Sequence, residues 1–292
     1  MEKCGAILKK PKVLDYCGAF AGAEVDLPKE YTLPDNLIPD VRNQGDVNSC
    51  VGFSATGIMQ ILNEIETGER KRFSAGYMYG KCRNDEDTYE GMIVDEALSH
   101  LIKCGSCYEE DFPTNEEMPE IRKLVMARPE LDDKAKPYHI KAYEVYASAS
   151  KLKRYNDIKT ALYVNNVPVL GVFRLRQGNH AVCIVGWNDS DKTFKILNSW
   201  GEEWGKNGVG NYAYDKLERG YLIMDAENSN RVMPFKDVDK NEWYYKAVQH
   251  AYNAGFMNGT SADTFEPNAT LTRAELAQAL VNFAKKIDET RG

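Results

Sequence analysis

The chain lacks an apolar run of the roughly 18 residues that a membrane-spanning helix requires. It also lacks an excess of positive charge, because 37 Lys and Arg face 44 Asp and Glu and leave a net charge of −7. A nucleic-acid partner would call for a basic surface, and the short basic runs LKKPK and KLKR are typical of solvated faces. The sequence therefore predicts neither a membrane span nor a nucleic-acid partner.

Cysteines are few, and their spacing does not indicate a metal site. There are seven, an odd number, so at least one thiol stays outside any disulfide. Cys104 and Cys107 have the C-x-x-C spacing of redox and zinc sites, but no second pair and no nearby His pair accompany them. We therefore expect no metal centre and no cofactor, and we interpret this pair as inert or as one arm of a disulfide.

Four polar residues, spread over 155 positions, form a chemically coherent set. A thiol attacks as the thiolate, so it needs a base beside it, and the base needs a group that holds its tautomer. Acyl transfer also places negative charge on a carbonyl oxygen, which needs a hydrogen-bond donor already in place. Cys50 is the candidate nucleophile, His180 the base, Asn198 the orienting group and Gln44 the oxyanion donor.

The order and spacing of these residues resemble those of papain-like cysteine peptidases. His180 follows Cys50 by 130 positions and Asn198 follows it by 148, within the strings QGDVNSCVGF, GNHAVCIVGW and KILNSWGEEWG. The resemblance implies hydrolysis of peptide bonds in a peptide or protein substrate. It also places Trp200, two residues after Asn198, over the His–Asn hydrogen bond.

The resemblance further implies positions that contact the substrate. The string YEGMIVDEALSHLI is similar to the wall segment of the family's cleft, with an apolar pocket formed by its third or fourth residue. Residues on either side of the candidate base should line the same region. The expected substrate-binding residues are Glu90, Gly91, Met92, Ile93, Asn179, Ala181 and Trp200. Asn48 stands where the family has a glycine, which alters how a peptide backbone approaches the cleft.

A disulfide is also implied only by the resemblance. The string FSAGYMYGKC is similar to a family segment that ends in a half-cystine, so Cys82 is expected to pair with Cys104 or Cys107. The family's other familiar half-cystine, three residues before the nucleophile, is Val47 in this chain. That second bridge is therefore absent.

Periodicity predicts an α+β fold with a helical lobe and a β-rich lobe. Apolar residues recur at helical spacing after Cys50, which places the thiol at a helix N-terminus, and VDEALSHLIKCG predicts a second helix that ends at Gly105. From about residue 137 the short segments HIKAYEVYA, VPVLGVFRL, HAVCIVGWN, TFKILNSWG and GNYAYDKL are typical of strands. We assign residues 26–231 to this two-lobed, papain-like domain.

Residues 1–25 are interpreted as an N-terminal extension that serves as a short pro-segment. They are charged at the start and contain no long apolar stretch, so no secretory signal is visible. We expect residues 17–25 to lie in the cleft, either through Ala19-Phe20-Ala21 or through a disulfide from Cys17 to Cys50. The competing interpretation is a disordered tail.

Residues 232–292 have a different character. FKDV, an aromatic helix containing Trp243, GFMNGT, TFEPN and TRAE occur in the order of one S-layer homology repeat, and Thr272 with Glu275 predicts a capping box. The resemblance implies a cell-wall glycopolymer as partner, a cell-surface location, and polymer contacts by Asp237, Trp243 and Arg273. Because such repeats usually act in threes, a single one predicts self-association or negligible wall binding.

Two other functions compete with a cell-surface endopeptidase. One is an inactive peptidase fold that serves as a wall-binding or adhesion protein, which the complete set of four residues disfavours. The other is a peptidoglycan amidase of a different Cys–His class. A Gln six residues before the Cys, and NSWG after the His, favour the papain-like interpretation.

Overall fold

The computed structural model describes residues 4–8, 27–83, 91–114, 121–224, 235–239, 242–253, 257–261 and 263–291. The chain divides into two compact units. The first comprises Met1–Gly22 and Asp26–Asn228, and the second comprises Ala23–Val25 and Ser229–Gly292. The predicted α+β class is confirmed in the first unit, where helices precede a large antiparallel sheet.

The elements follow in chain order. The strands are β1 (Ala6–Ile7), β2 (Glu30–Thr32), β3 (Met92–Ile93), β4 (Ala142–Tyr146), β5 (Val169–Leu175), β6 (Gly178–Asn188), β7 (Thr193–Leu197), β8 (Val209–Ala213) and β9 (Leu217–Met224). The helices are α1 (Cys50–Thr67), α2 (Ala75–Cys82), α3 (Val94–Lys103), α4 (Ile121–Met126), α5 (Glu130–Ala135), α6 (Lys151–Asn165), α7 (Tyr245–Asn253) and α8 (Arg273–Arg291). Among the described residues, no helix combines the length and apolarity needed to cross a membrane.

The main sheet is antiparallel, with the strand order β4-β9-β5-β6-β7-β8 and β2 joined to β6. The five segments predicted as strands correspond to β4–β8. A second, two-stranded sheet pairs β1 with β3 in parallel, so that Ala6 lies opposite Met92 and Ile7 opposite Ile93. This small sheet joins the N-terminal segment to the predicted wall of the cleft.

Several elements are not apparent from the sequence, among them α6 and β9. Charged residues such as Lys151 and Lys153 obscure the apolar face of α6, which buries Ile158, Ala161 and Leu162. In β9 the pair Glu218-Arg219 interrupts the apolar pattern. Arg219 is nevertheless buried, with its guanidinium 3.5 Å from a carboxylate oxygen of Asp95 on α3. A tertiary ion pair therefore makes a charged residue acceptable inside that strand.

Helix α1 differs from the predicted amphipathic helix because all of residues 50–61 are buried. It contacts α2 and α3 on one side and β5 and β6 on the other. Small residues allow this close packing, since a Cβ on Gly57 would contact the Cys183 sulfur of β6 at 3.7 Å. Gly68 ends the helix in the left-handed conformation, with φ of 77°. The helix therefore connects the two lobes and fixes the position of its first residue.

Candidate active site

Cys50 is the first residue of α1 and is completely buried. Its Sγ accepts hydrogen bonds from two backbone N–H groups, that of Ala181 at 3.5 Å and that of Gly5 at 3.4 Å. Ala181 belongs to β6 and directly follows His180, so the sheet brings the predicted base beside the predicted nucleophile. Gly5 belongs to the N-terminal segment, which therefore covers the thiol.

His180 is held by Asn198 and by an aromatic ring. Its Nε2 lies 2.7 Å from Asn198 Oδ1, which also accepts the N–H of Ser199 at 2.8 Å. Because a backbone N–H donates to that oxygen, it is an acceptor, and Nε2 of the imidazole must carry the proton. The indole of Trp200 stacks on the imidazole with centroids 4.4 Å apart and covers it.

The assigned tautomer leaves Nδ1 of His180 with its lone pair. That atom is buried and has no hydrogen-bond partner within the described part of the chain. Burial raises the pKa of the Cys50 thiol above its usual range, although the N–H groups of Ala181 and Gly5 oppose the shift. Burial also lowers the pKa of His180 to about 4, against the effect of its bond to Asn198. In the covered cleft both groups are therefore neutral at neutral pH.

Gln44 lies buried in the loop before α1, with its amide fixed at both ends. Its Oε1 accepts the hydroxyl of Ser199 at 2.6 Å, and its Nε2 donates to the carbonyl of Val47 at 2.7 Å. An amide nitrogen has two hydrogens and can donate two hydrogen bonds. The backbone N–H of Gln44 also donates to the Ser199 carbonyl at 2.8 Å.

Ser199 is a site residue that the sequence analysis missed. It contacts Asn198 through its N–H, and it contacts Gln44 through its hydroxyl and its carbonyl. The signal was its position between Asn198 and Trp200 in the NSW string. One serine therefore couples the residue that orients the base to the residue predicted as oxyanion donor.

The predicted substrate-binding positions lie around the same thiol. Gly91 and β3 form a buried wall, and a Cβ on Gly91 would overlap the carbonyl oxygen of Gly5. Asn179 and Ala181 flank His180 on β6, the first half-buried and the second buried. Glu90 lies outside the described residues. The described members of this set therefore lie around the Cys50 thiol. The cleft that they line is already occupied by the N-terminal segment.

That segment is residues 4–8, and we call it the plug. The carbonyl oxygen of Gly5 accepts the N–H of Met92 at 2.8 Å, while Ala6 is buried opposite Met92. Residues 17–25, which the sequence favoured for this position, lie outside the described residues. Cys50 is reduced, so the expected disulfide to Cys17 is not formed.

The disulfide that the resemblance implied is not formed either. Cys82, Cys104 and Cys107 are all reduced in the structure. Burial raises the pKa of the Cys82 thiol to about 12, and the nearby Cys104 adds to the shift. Among the described residues, no group of three or more His, Cys, Asp or Glu side chains is arranged to hold a metal ion.

The second unit contains the residues predicted to contact a polymer. Asp237 accepts the backbone N–H groups of Phe265, at 2.9 Å, and Glu266, at 2.6 Å, so its carboxylate holds a loop. Trp243 is 88% exposed, and Arg273 begins α8. The capping box is confirmed, because the N–H of Thr272 donates to the Glu275 carboxylate at 2.8 Å and the Glu275 N–H donates back to the Thr272 hydroxyl at 3.2 Å.

Comparison with solved structures supports the fold. Xylellain, a cysteine protease from Xylella fastidiosa, is 18% identical with a TM-score of 0.64, covering 77% of this chain and 96% of that one. A procathepsin B from Trypanosoma congolense is also 18% identical with a TM-score of 0.62, covering 77% and 87%. At this identity the likeness establishes the fold alone.

Comparison of sequences gives relatives with greater identity. A peptidase C1-like protein of Acanthamoeba polyphaga mimivirus is 28% identical over 258 residues, covering 74% of this chain and 75% of that protein. Cathepsin L 1 of Paramecium tetraurelia is 26% identical over 199 residues, and the alignment spans 65% of this chain and 59% of the relative.

Two family models match the sequence. The model of the S-layer homology domain matches residues 234–277. The model of the papain family cysteine proteases matches residues 27–227, which is more than half of the chain and contains all four residues of the buried site. The chain therefore belongs to the papain family of cysteine proteases.

Proposed function

We propose that the chain is a cysteine endopeptidase that hydrolyses peptide bonds through Cys50, His180, Asn198 and Gln44. The observation that carries the proposal is the arrangement at His180. Its Nε2 is committed to Asn198, while its Nδ1 is left as a buried base beside the thiol helix. In a purely structural histidine, a buried nitrogen without a hydrogen-bond partner would destabilise the fold by its desolvation free energy, with no gain in return.

The chemistry follows from these contacts. Nδ1 of His180 takes the thiol proton of Cys50, and the thiolate attacks the substrate carbonyl carbon. The Nε2–H of Gln44 and the N–H of Cys50, one of the unsatisfied donors of the first helical turn, stabilise the oxyanion. Imidazolium then protonates the leaving amine, and water hydrolyses the acyl-enzyme with His180 as base. Trp200 keeps solvent from the His–Asn bond throughout.

The complete arrangement supports this function over both alternatives. An inactive adhesion protein has no need for Ser199 to hold the Gln44 amide in a single orientation. A Cys–His amidase of the other class would not be expected to have that glutamine or the stacked indole of Trp200. Protein, peptide and wall-peptide substrates tested side by side distinguish an endopeptidase from an amidase.

Removal of the nucleophile tests the function directly. We expect Cys50→Ala to abolish hydrolysis of a fluorogenic peptide, because it removes the proposed nucleophile, and to leave the melting temperature within a few degrees of that of the wild type. Cys183→Ala is the matched control, since it removes another buried thiol that faces α1. Retained turnover in Cys50→Ala would contradict the proposal.

Substitutions of Gln44 and of Ser199, which holds its amide, are predicted to lower kcat by different amounts. We expect Gln44→Ala to lower kcat by about 10²–10³-fold. Ser199→Ala should lower kcat by about 2- to 10-fold, the worth of one hydrogen bond, with little change in KM. Ser199→Thr keeps the hydroxyl and should restore the rate, while Ser106→Ala, at a buried serine outside the cleft, should not lower it. Equal rates for Ser199→Ala and the wild type would contradict a role for Ser199 in positioning Gln44.

We further propose that the plug keeps the enzyme latent. The plug presents an N–H of Gly5 to Cys50 Sγ, where a substrate must present a carbonyl carbon, so it occupies the cleft without being attacked. Processing of the N-terminal extension between about residues 17 and 26 would separate the plug from the domain. Intact-mass measurement during incubation under reducing conditions follows that step.

Adding a methyl group at Gly5 tests latency without processing. A Cβ there would overlap the carbonyl oxygen of Asn48, and relieving such an overlap typically involves about 1–3 kcal/mol. Gly5→Ala should therefore raise the open fraction, and with it the initial rate, by about 5- to 150-fold at unchanged mass. Gly68→Ala is the control for general destabilisation, because it strains the left-handed end of α1, at φ of 77°, where the added methyl would have no atom within 4 Å. An unchanged initial rate for Gly5→Ala would contradict latency by the plug.

We propose that the second unit provides display at a cell wall, with Trp243 and Arg273 as contacts to an anionic glycopolymer. The S-layer homology match and the exposure of Trp243 support this location. Helix α8 also exposes three apolar side chains, namely Leu276, Leu280 and Val281. Because one repeat binds weakly, we propose that copies associate through this face of α8.

Self-association is tested by sedimentation of the full chain. We expect wild type to associate and the double variant Leu276→Ser/Leu280→Ser to sediment as a monomer with weaker binding to purified walls, because the substitutions remove the apolar surface that is buried on association. Leu152→Ser is the control, since Leu152 is 69% exposed in the first unit. A wild-type monomer that binds walls tightly would contradict the proposal.

A further inference from the structure

The plug brings a second cysteine close to the nucleophile. The N–H of Gly5 lies 3.4 Å from Cys50 Sγ, and Cys4 directly precedes Gly5. No cis peptide bond occurs among the described residues. In a trans peptide the preceding Cα lies on the same side as the N–H, about 2.4 Å from the nitrogen. The Cα of Cys4 is therefore about 4–5 Å from the Cys50 sulfur.

This separation is suited to a disulfide. The sulfur of a cysteine is about 2.8 Å from its own Cα, so the Cα atoms of Cys4 and Cys50 lie no more than about 7–8 Å apart and closer in any bent arrangement. Bridged cysteines have Cα atoms about 4.4–6.8 Å apart. A bent arrangement falls within this range, and bond formation then requires rotation about χ1 of Cys4 and a movement of the plug.

Cys4 lies beside Gly178, the first residue of the strand that contains His180. Its Cβ would lie 3.8 Å from a Cβ on that glycine. One residue further on, the Gly5 carbonyl accepts the N–H of Met92, and Ala6 is buried against β3. Cys4 is therefore held over the cleft between the β6 edge and the wall, and ordering the plug has already met most of the entropic cost of closing the ring.

The two thiols differ in exposure, and this difference determines which of them reacts first with a small disulfide. Cys4 is half-buried and Cys50 is fully buried, and both are reduced. A small disulfide in solution therefore reaches Cys4 first. Cys183, another thiol beside α1, lies 3.4 Å from the carbonyl oxygen of Ser54 and is directed at the helix backbone instead.

Resting on the endopeptidase function proposed above, we infer that Cys4 and Cys50 form a reversible disulfide that locks the plug over the nucleophile. The Cys4 thiolate attacks a low-molecular-weight disulfide, RSSR, to give a Cys4–SR mixed disulfide and one thiolate RS⁻. The Cys50 thiolate then attacks the Cys4 sulfur, forms the protein disulfide and displaces the second RS⁻. The two cysteine protons end on the two RSH molecules, so two protein thiols are oxidised and one RSSR is reduced.

The Cys4–Cys50 disulfide would inhibit the enzyme in a way that non-covalent binding of the plug does not. Oxidation removes the nucleophile itself and ties it to the segment that covers it, so opening of the plug is blocked as long as the bond persists. Reduction by a thiol restores Cys50 and returns the plug to its reversible state. Latency therefore depends on the redox poise of the surroundings as well as on processing of the extension.

The test uses the full chain, reduced and then treated with oxidised glutathione. We expect the intact mass to fall by two hydrogens and peptide mapping to recover Cys4 linked to Cys50. Iodoacetamide labelling of Cys50 should be lost, and dithiothreitol should restore it. Cys4→Ser should give no such link and should keep Cys50 open to iodoacetamide once dithiothreitol has removed any glutathione adduct, whereas Cys82→Ser should behave as wild type.

Two outcomes would contradict the proposed Cys4–Cys50 disulfide. One is a wild-type chain that takes up glutathione at Cys50 without forming the link to Cys4. The other is formation of the same intact-mass change in Cys4→Ser, which would assign the bond to another pair. Both readouts are independent of peptide hydrolysis, so an absence of turnover in the reduced Gly5→Ala variant would contradict the proposed function and leave the disulfide result standing.

Discussion

The contact between α1 and β6 is the constraint on which the site depends. The proposed nucleophile and base come from segments 130 positions apart, and this contact places them together. Glycine at position 57 favours this close packing, because a Cβ there would lie 3.3 Å from Pro39 Cβ and 3.7 Å from the Cys183 sulfur. At the same interface the N–H of Ala181 reaches Cys50 Sγ, so packing and chemistry share one contact. A larger side chain at Gly57 would move the thiol relative to the imidazole without touching either.

Burial at this interface has opposite effects on structure and on reactivity. The thiolate–imidazolium pair is the reactive form, yet desolvation raises the pKa of Cys50 and lowers that of His180, so it favours the neutral pair. The plug contributes to that burial, because Gly5 lies directly over the sulfur. If the plug leaves, as proposed above, water and substrate enter and proton transfer from Cys50 to His180 costs less free energy. The proposed latency therefore rests on electrostatics as well as on steric exclusion.

The grouping of Cys50, His180, Asn198 and Gln44 could be expected from sequence, because each proposed chemical role can be filled by few residue types. Their neighbours could not be predicted in the same way. Ser199 looks like an ordinary polar residue until its hydroxyl is seen to fix the Gln44 amide. Strand β9 was missed because the charge of its buried Arg219 is satisfied by a tertiary contact with Asp95. Helix α6 was missed because exposed lysines obscure the apolar face that it buries.

The plug illustrates a further limit of local patterns. Residues 17–25 were expected to bind in the cleft because their side chains are small, and they lie outside the described residues. The structure places residues 4–8 over the Cys50 thiol, which no local pattern indicated. A glycine is required at position 5 because the backbone there passes close to Asn48 and to Gly91. Both neighbours are distant from Gly5 in the sequence, so no local pattern indicates them. Two-residue strands such as β1 and β3 have no periodicity to detect. Their pairing arises from the shape of the cleft, which exists only once α1, α3 and β6 have assembled. The same geometry that excludes a side chain at Gly5 places Cys4 within bonding reach of Cys50, so the steric fit of the plug and its capacity for covalent capture have one structural origin.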